Sequence, residues 1–371
     1  MNWLPNTLLL LVGLVILAGG GEFVVRGAAR LARRLGVSAL VVGLTIIAFG
    51  TSAPEAAVSV IAALNGEEGL AVGNIVGSNV ANILLILGMA ALARPLKVSR
   101  NLINTDVPFM IVVTGLFMLM VVSNTRVDRW EGVLLLLGLC GYTYLTYVMS
   151  RREAPHVEAE YQQLKMHGGR TWVHCIMIVA GIAGLVIGAN LIVRGATGIA
   201  VLFGVSDRVI GLTIVAIGTS LPELATCIVA ARRNQPDIAI GNIIGSNIFN
   251  ILSVAGIAAV VKPLEVPSET RFVDAPFMLA IAVLAFFVCW KGRTIRRSNG
   301  VVLIALYLAF LSFTTLSAAD TPSLARQRGD QSAVSPTLIS ATSYTTSLPS
   351  TTTVALSPTC SPSSVWLTGA W

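Results

Sequence analysis

At 371 residues, 55% apolar and only 12% charged, with net charge +7 and mean hydropathy +0.80, the chain is no ordinary soluble protein. A water-facing surface calls for about 25% charged residues. The basic residues fall in short clusters between apolar runs rather than along one face, so the sequence reads as a polytopic membrane protein and not as a nucleic-acid binder.

The stretch Met1–Asn6 lacks the basic segment of a cleaved signal, so the first apolar run is expected to be a retained span. Runs of about 20 residues match a hydrocarbon core roughly 30 Å thick. In order they predict ten spans, at roughly 7–29, 38–64, 70–92, 107–124, 131–149, 172–193, 208–231, 238–261, 274–290 and 299–316. Alternate loops carry very different charge. One set holds 17 Lys and Arg (Arg26 to Arg34, Arg94 to Arg100, Arg151 to Arg170, Arg232 and Arg233, Lys291 to Arg297), the other six (Arg126, Arg129, Arg194, Arg208, Lys262, Arg271). Basic loops stay in the cytoplasm, which places both termini outside. Residues 317–371 contain 27 Ser, Thr or Pro among 55, a composition expected to be a disordered tail. The five cysteines have no paired spacing and read as small apolar residues; His156, His167 and His174 have no ligand spacing.

Residue n compared with n+168 aligns 43–96 with 211–264 without a gap, identical at 28 of 54 positions. GLTIIAFGTSAPE faces GLTIVAIGTSLPE, and GNIVGSNVANIL faces GNIIGSNIFNIL; at the same offset VRGA at 25–28 recurs at 193–196 and DVPFM at 106–110 meets DAPFM at 274–278. Five predicted spans separate the copies, an odd number that turns the second upside down. The expected fold is therefore all-α, with ten transmembrane helices in two inverted-topology repeats of five: 1–149, then a short cytoplasmic linker at 150–171, then 172–316. In such repeats the site lies near the membrane midplane, on helices interrupted by Gly or Pro.

Only Glu22, Glu55 and Glu223 among 18 carboxylates fall well inside apolar spans, where a charge costs at least about 2.5–3.5 kcal/mol. Glu55 and Glu223 are repeat equivalents. Two carboxylates at that depth are expected to be neutralised by a hard cation, calcium or sodium, with proton carriage or a structural hydrogen-bonded pair as the other readings. Pro54 and Pro222 have no N–H and should break their helices, freeing the carbonyls of Gly50 and Gly218 and loosening Ala48–Thr51 and Ala216–Thr219. Each break then offers a carboxylate, two hydroxyls (Thr51 and Ser52; Thr219 and Ser220) and backbone oxygens. The following spans place Asn74, Ser78 and Asn82, and Asn242, Ser246 and Asn250, on one helix face each. Asn74 and Asn242 suit either a supporting role at the site or interhelical hydrogen bonding. Glu22, whose counterpart is Asn190, is a candidate for the outer shell or a vestibule, and Asp106 and Asp274 are expected to cap helices. No phosphate loop or nucleophile constellation is present, so ATP-driven pumping and enzymatic catalysis have no support.

These paired motifs resemble the two alpha-repeats of the calcium/cation antiporter superfamily, most nearly prokaryotic sodium/calcium exchangers, over about residues 7–316. The resemblance implies sodium-for-calcium exchange by alternating access, in a prokaryotic plasma (inner) membrane. It implies calcium at Glu55 and Glu223 with the Thr51 and Thr219 carbonyls. Sodium would lie at Ser52, Ser78, Ser220, Ser246, the Ala48 and Ala216 carbonyls and the glutamates, with Asn82 and Asn250 at the centre. Potassium-dependent relatives carry Asp where this chain has Asn250, and proton-coupled ones show Gly-Asn-x-x-Glu instead of Gly-Thr-Ser-x-Pro-Glu, so sodium coupling is favoured over these alternatives. The cations and the lipid bilayer are the only partners expected, with no cofactor, nucleic acid or obligate protein. A channel or a non-transporting scaffold are the readings from other classes.

Overall fold

A computed structural model describes residues 3–162, 171–203 and 216–320. It is almost wholly helical: α1 (Trp3–Leu35), α2 (Ala39–Thr51), α3 (Ala53–Asn65), α4 (Glu68–Ala93), α5 (Leu102–Ser123), α6 (Arg129–Gln162), α7 (Thr171–Leu202), α8 (Ala216–Thr219), α9 (Leu221–Arg232), α10 (Pro236–Val261), α11 (270–290) and α12 (Arg297–Asp320). Eight described helices are long and apolar enough to cross a membrane, or nine if the bent pair α2–α3 counts as one span. The predicted span at 208–231 begins outside the described residues, as do 163–170 of the 150–171 linker, whose first part continues α6 to Gln162; the tail lies outside them from residue 321.

Burial divides the helices by role. In α4 and α10, 78% and 89% of the most apolar window is buried, against 39% or less for the other candidate spans. Those outer helices expose large apolar side chains such as Trp3, Leu11, Leu137, Val179 and Phe287, the surface a hydrocarbon solvent favours. The most intimate packing joins α1 to α7. A Cβ on Gly20 would sit 2.7 Å from Leu185 N, one on Gly188 2.6 Å from Leu17 N, and one on Gly195 2.6 Å from Asn6 O. The sum of the contacting residue numbers stays nearly constant, so the two helices run antiparallel, backbone against backbone, in the manner of small-residue membrane interfaces. The glycines recur every seven residues, at 13, 20 and 27 and again at 181, 188 and 195, each pair related by the 168-residue offset.

Other contacts cross between the halves in the same way. Gly88 on α4 meets Gly300 on α12, and its counterpart Gly256 on α10 meets Gly132 on α6. Two short antiparallel ribbons do likewise: β1 (Leu96–Lys97) pairs with β4 (Thr294–Ile295), and β2 (Arg126–Val127) with β3 (Leu264–Glu265). The first ribbon joins two of the richly basic loops; the second joins two of the poorly basic ones.

Two expectations need correction. Several basic residues assigned to loops (Arg26, Arg30, Arg33, Arg34, Arg194) lie on helices, because α1 and α7 run beyond their apolar windows. Asp106 and Asp274 do not cap helix starts: the helices already begin at Leu102 and Thr270 and pass through each Asp as a π-helical turn, with no side-chain capping bond. That turn precedes Pro108 and Pro276, and its wider hydrogen-bond spacing absorbs the N–H that proline lacks.

Candidate functional site

The site grows from the break between α2 and α3. Ser52 leaves the helix at φ −81°, ψ 5°, Pro54 stands in the first turn of α3, and the two segments meet at 41°. Its counterpart Ser220, between α8 and α9, adopts φ −90°, ψ 5°, with Pro222 in the first turn of α9. Contrary to the loosening expected of Ala48–Thr51, those residues keep one regular α-turn and the Ala48 carbonyl accepts the Ser52 N–H at 3.0 Å. The irregularity is displaced upstream, into the π-helical turn Gly43–Ile47. The Ala48 carbonyl also accepts from the Thr51 hydroxyl at 3.5 Å, which fills its second lone pair. Its counterpart Ala216 opens α8.

Each break places a glutamate inside the protein, both 1% exposed. The Ser52 hydroxyl donates to Glu223 Oε1 at 3.2 Å, and the Ser220 hydroxyl donates to Glu55 Oε1 at 3.3 Å. The two carboxylates are near enough for their charges to act on each other, and Thr51 and Ser246 also lie beside Glu223. Among the described residues, Glu55 Oε2, Glu223 Oε2, Ser78 Oγ, Ser246 Oγ, Asn82 Oδ1 and Asn250 Oδ1 are buried without hydrogen-bond geometry to any partner. An orphaned buried oxygen is expensive, about 1–3 kcal/mol and more if charged. A concentration of them in a native core points to a ligand, and oxygen-only donors with two carboxylates suit a hard cation.

Asn82 and Asn250 each open a π-helical stretch, Asn82–Ile86 in α4 and Asn250–Ala255 in α10. These stretches pack crosswise: the Asn250 stretch against α3, which carries Glu55, and the Asn82 stretch against α9, which carries Glu223. The other asparagines brace the breaks. Asn74 donates to the Glu55 carbonyl at 3.2 Å and to Ser59 Oγ at 2.9 Å; Asn242 accepts from Thr51 Oγ1 at 3.2 Å and donates to Cys227 Sγ at 3.4 Å. Ser59 and Cys227 are repeat equivalents and donate alike, to the carbonyls of Ala71 and Ala239, each at 3.4 Å. The hydrogen-bonding reading of Asn74 and Asn242 is therefore seen directly. Glu22 pairs with Arg26 on its own helix and with Arg233 at the end of α9. The structure thus joins Thr51, Ser52, Asn74, Ser220, Asn242 and Ser246 to one another and to the two glutamates, while Glu22 pairs elsewhere. Ser59 and Cys227 were legible only as a repeat pair whose chemistry differs, and the glycine seam only as a seven-residue spacing.

Fold and burial define an integral membrane protein built around a polar, oxygen-lined centre. The chain belongs to the sodium/calcium exchanger protein family, which it matches over residues 5–148 and again over 173–316. It is 39% identical to CaxA of Alkalimonas amylolytica over 84% of this chain and 98% of that one. The sodium/calcium exchanger MaX1 of Methanosarcina acetivorans is 34% identical, over 82% of this chain and 97% of its own. Structures of the sodium-calcium exchanger NCX_Mj superpose at a TM-score of 0.73 with 29% identity, over 84% of this chain and 100% of theirs. At the level of the family, the activity is cation and calcium antiport, a transport function.

Proposed function

We propose that this protein exchanges sodium for calcium by alternating access, with both ions bound between Glu55 and Glu223. The observation that carries the reading is the reciprocal pair of bonds, Ser52 to Glu223 and Ser220 to Glu55, which builds one centre from both halves and leaves a second oxygen of each carboxylate unengaged. Two carboxylates carry −2, a charge that one calcium or two sodiums neutralise. Bare carboxylates oppose closure around the site, whereas either cargo permits it, and that condition is what makes an exchanger. Ser78, Ser246, Asn82, Asn250 and the carbonyls of Thr51, Thr219, Ala48 and Ala216 complete the ligand shells in this reading. Antiparallel packing of the counterparts α1 and α7, and the crosswise glycine contacts and ribbons, support two inverted halves of five spans each, and the excess of Lys and Arg in alternate loops supports extracytoplasmic termini. No cofactor or protein partner enters the scheme.

The test is flux in proteoliposomes. Sodium-loaded vesicles should take up ⁴⁵Ca when diluted into sodium-free buffer, and Glu223→Ala should abolish that uptake. Uptake driven equally by a pH gradient or by potassium, without sodium, would replace sodium coupling with the corresponding alternative.

A further inference from the structure

One face of α9 carries a polar atom that the cation centre does not use. Counted at 100° per residue, Glu223, Thr226, Ala230 and Arg233 fall within about 80° of one another, so the face runs from the buried carboxylate to the end of the helix. Thr226 is 0% exposed, and among the described residues its hydroxyl has hydrogen-bond geometry to no partner. Its neighbours on the helix have other surroundings. A Cβ on Gly21 of α1 would meet Ala225 and Val229, and Cys227 donates to the Ala239 carbonyl of α10. α9 also packs on the second half of α4, where residues 83–93 offer no side-chain nitrogen or oxygen.

Packing alone does not call for this hydroxyl. The repeat equivalent of Thr226 is Val58, one turn beyond Glu55, a side chain of the same outline without the oxygen. Ala230 has the equivalent Ala62, so the next turn is small in both halves. Only the second half therefore has a polar atom in the middle of the face. A buried hydroxyl without a partner costs about 1–3 kcal/mol, a cost that valine at this position would avoid.

We propose that Thr226 is a transient ligand for the cargo, its hydroxyl oxygen receiving calcium or sodium as the ion passes between Glu223 and the end of α9. The proposal rests on the exchange reading above. Residues three apart on a helix have Cβ atoms about 5–6 Å apart, one short step for an ion. A neutral hydroxyl suits a point of transit: it replaces one water of a hard cation's shell without adding a charge that would hold the ion there. Ala230, buried and small, leaves the following turn uncrowded, and the face ends at the partly exposed pair of Arg233 and Glu22. α9 leads into the loop of Arg232 and Arg233, one of the richly basic set, so the step serves the cytoplasmic side. Val58 gives the opposite side no equivalent.

The experiment compares ⁴⁵Ca uptake in everted and in right-side-out membrane vesicles from cells expressing the full chain, with vesicles from cells lacking it as background. In everted vesicles, which present the cytoplasmic face, Thr226→Val is expected to raise the half-saturating calcium or half-activating sodium concentration at least about threefold. Right-side-out vesicles should keep the wild-type values, and Thr226→Ser, which retains the hydroxyl, should stay close to wild type on both faces. The Tm of purified Thr226→Val should equal or exceed that of wild type, because a hydroxyl without a partner holds nothing together. A shift in calcium alone assigns the step to calcium, in sodium alone to sodium, and in both to both. Unchanged values in everted vesicles, equal shifts on the two faces, or a fall in Tm would each overturn the proposal while sodium-driven uptake by the wild type leaves the exchange reading standing. Wild-type vesicles without sodium-driven uptake would overturn both.

Discussion

The hydroxyl of Ser52, in the helix break of one half, donates its hydrogen bond to the carboxylate of Glu223 in the other, 171 residues away. The inverse bond runs from Ser220 to Glu55. Neither glutamate is served by the serine of its own motif, so the two breaks are coupled through their acids. A Ser52→Ala, Glu223→Gln double-mutant cycle measures that coupling. Ser52→Ala alone is expected to raise the half-saturating calcium concentration about 2- to 12-fold, the equivalent of about 0.5–1.5 kcal/mol for one hydrogen bond, and the change should be largely absent in the Glu223→Gln background.

Removal of either carboxylate should act more severely. Glu55→Ala and Glu223→Ala halve the negative charge that balances a divalent ion. Exchange should fall to the level of protein-free vesicles in both, while size-exclusion profiles remain those of the wild type. Residual sodium-dependent ⁴⁵Ca flux above one-tenth of wild type in either variant would count against the assignment.

Cys227 does the work of Ser59 in the other half. Cys227→Ser should keep both the bond from Asn242 and the one to Ala239, and so leave melting temperature and flux close to wild type. Cys227→Ala leaves the Asn242 amide short of a partner and is expected to cost about 1 kcal/mol, read as a lowered Tm. Cys227 is fully buried, so thiol-reactive probes should label Cys140 and Cys175, which are exposed, before it.

The glycine seam predicts a graded response. A Cβ at Gly20 would stand 2.7 Å from Leu185 N and 2.8 Å from the Gly181 carbonyl, both backbone atoms that cannot rotate away. Gly20→Ala should force α1 and α7 apart and cost about 1–3 kcal/mol, and Gly20→Leu should cost more. Gly19 faces open space, so Gly19→Ala is the control and should be neutral. Melting temperatures of the three variants check the order.

The Glu22–Arg233 pair ties α1 to the end of α9 with partly exposed side chains, at 27% and 41%. Glu22→Gln should therefore change stability by no more than about 1 kcal/mol. A larger fall in Tm would show that the pair is shielded from solvent by lipid.

How much of this could be read beforehand follows from what each feature depends on. Glu55 and Glu223 stood out because charge is scarce in apolar spans, and their meeting followed from the repeat. Pro54 and Pro222 announced the breaks, since a missing N–H acts locally. The π-helical turns carried no such mark, and Asp106 was misread for that reason: the helix runs through the residue where a short polar side chain before proline suggests a start. The crosswise pattern of the Ser–Glu bonds, ribbons and glycine contacts was hidden because periodicity reports which face a residue lies on, not which partner covers it. Glu22 was assigned to the outer shell or a vestibule because its depth was judged by position in an apolar run, while its partner Arg233 lies on another helix.

The crossed Ser–Glu bonds also bear on how the protein is made. Ser220 follows Glu55 by 165 residues, a separation that takes about 8–33 s to synthesise at ~5–20 residues per second. For that interval Glu55 sits in a half-finished chain without the hydroxyl that will hold it. The second half therefore arrives as the template that completes the first, and maturation of the centre waits on its insertion.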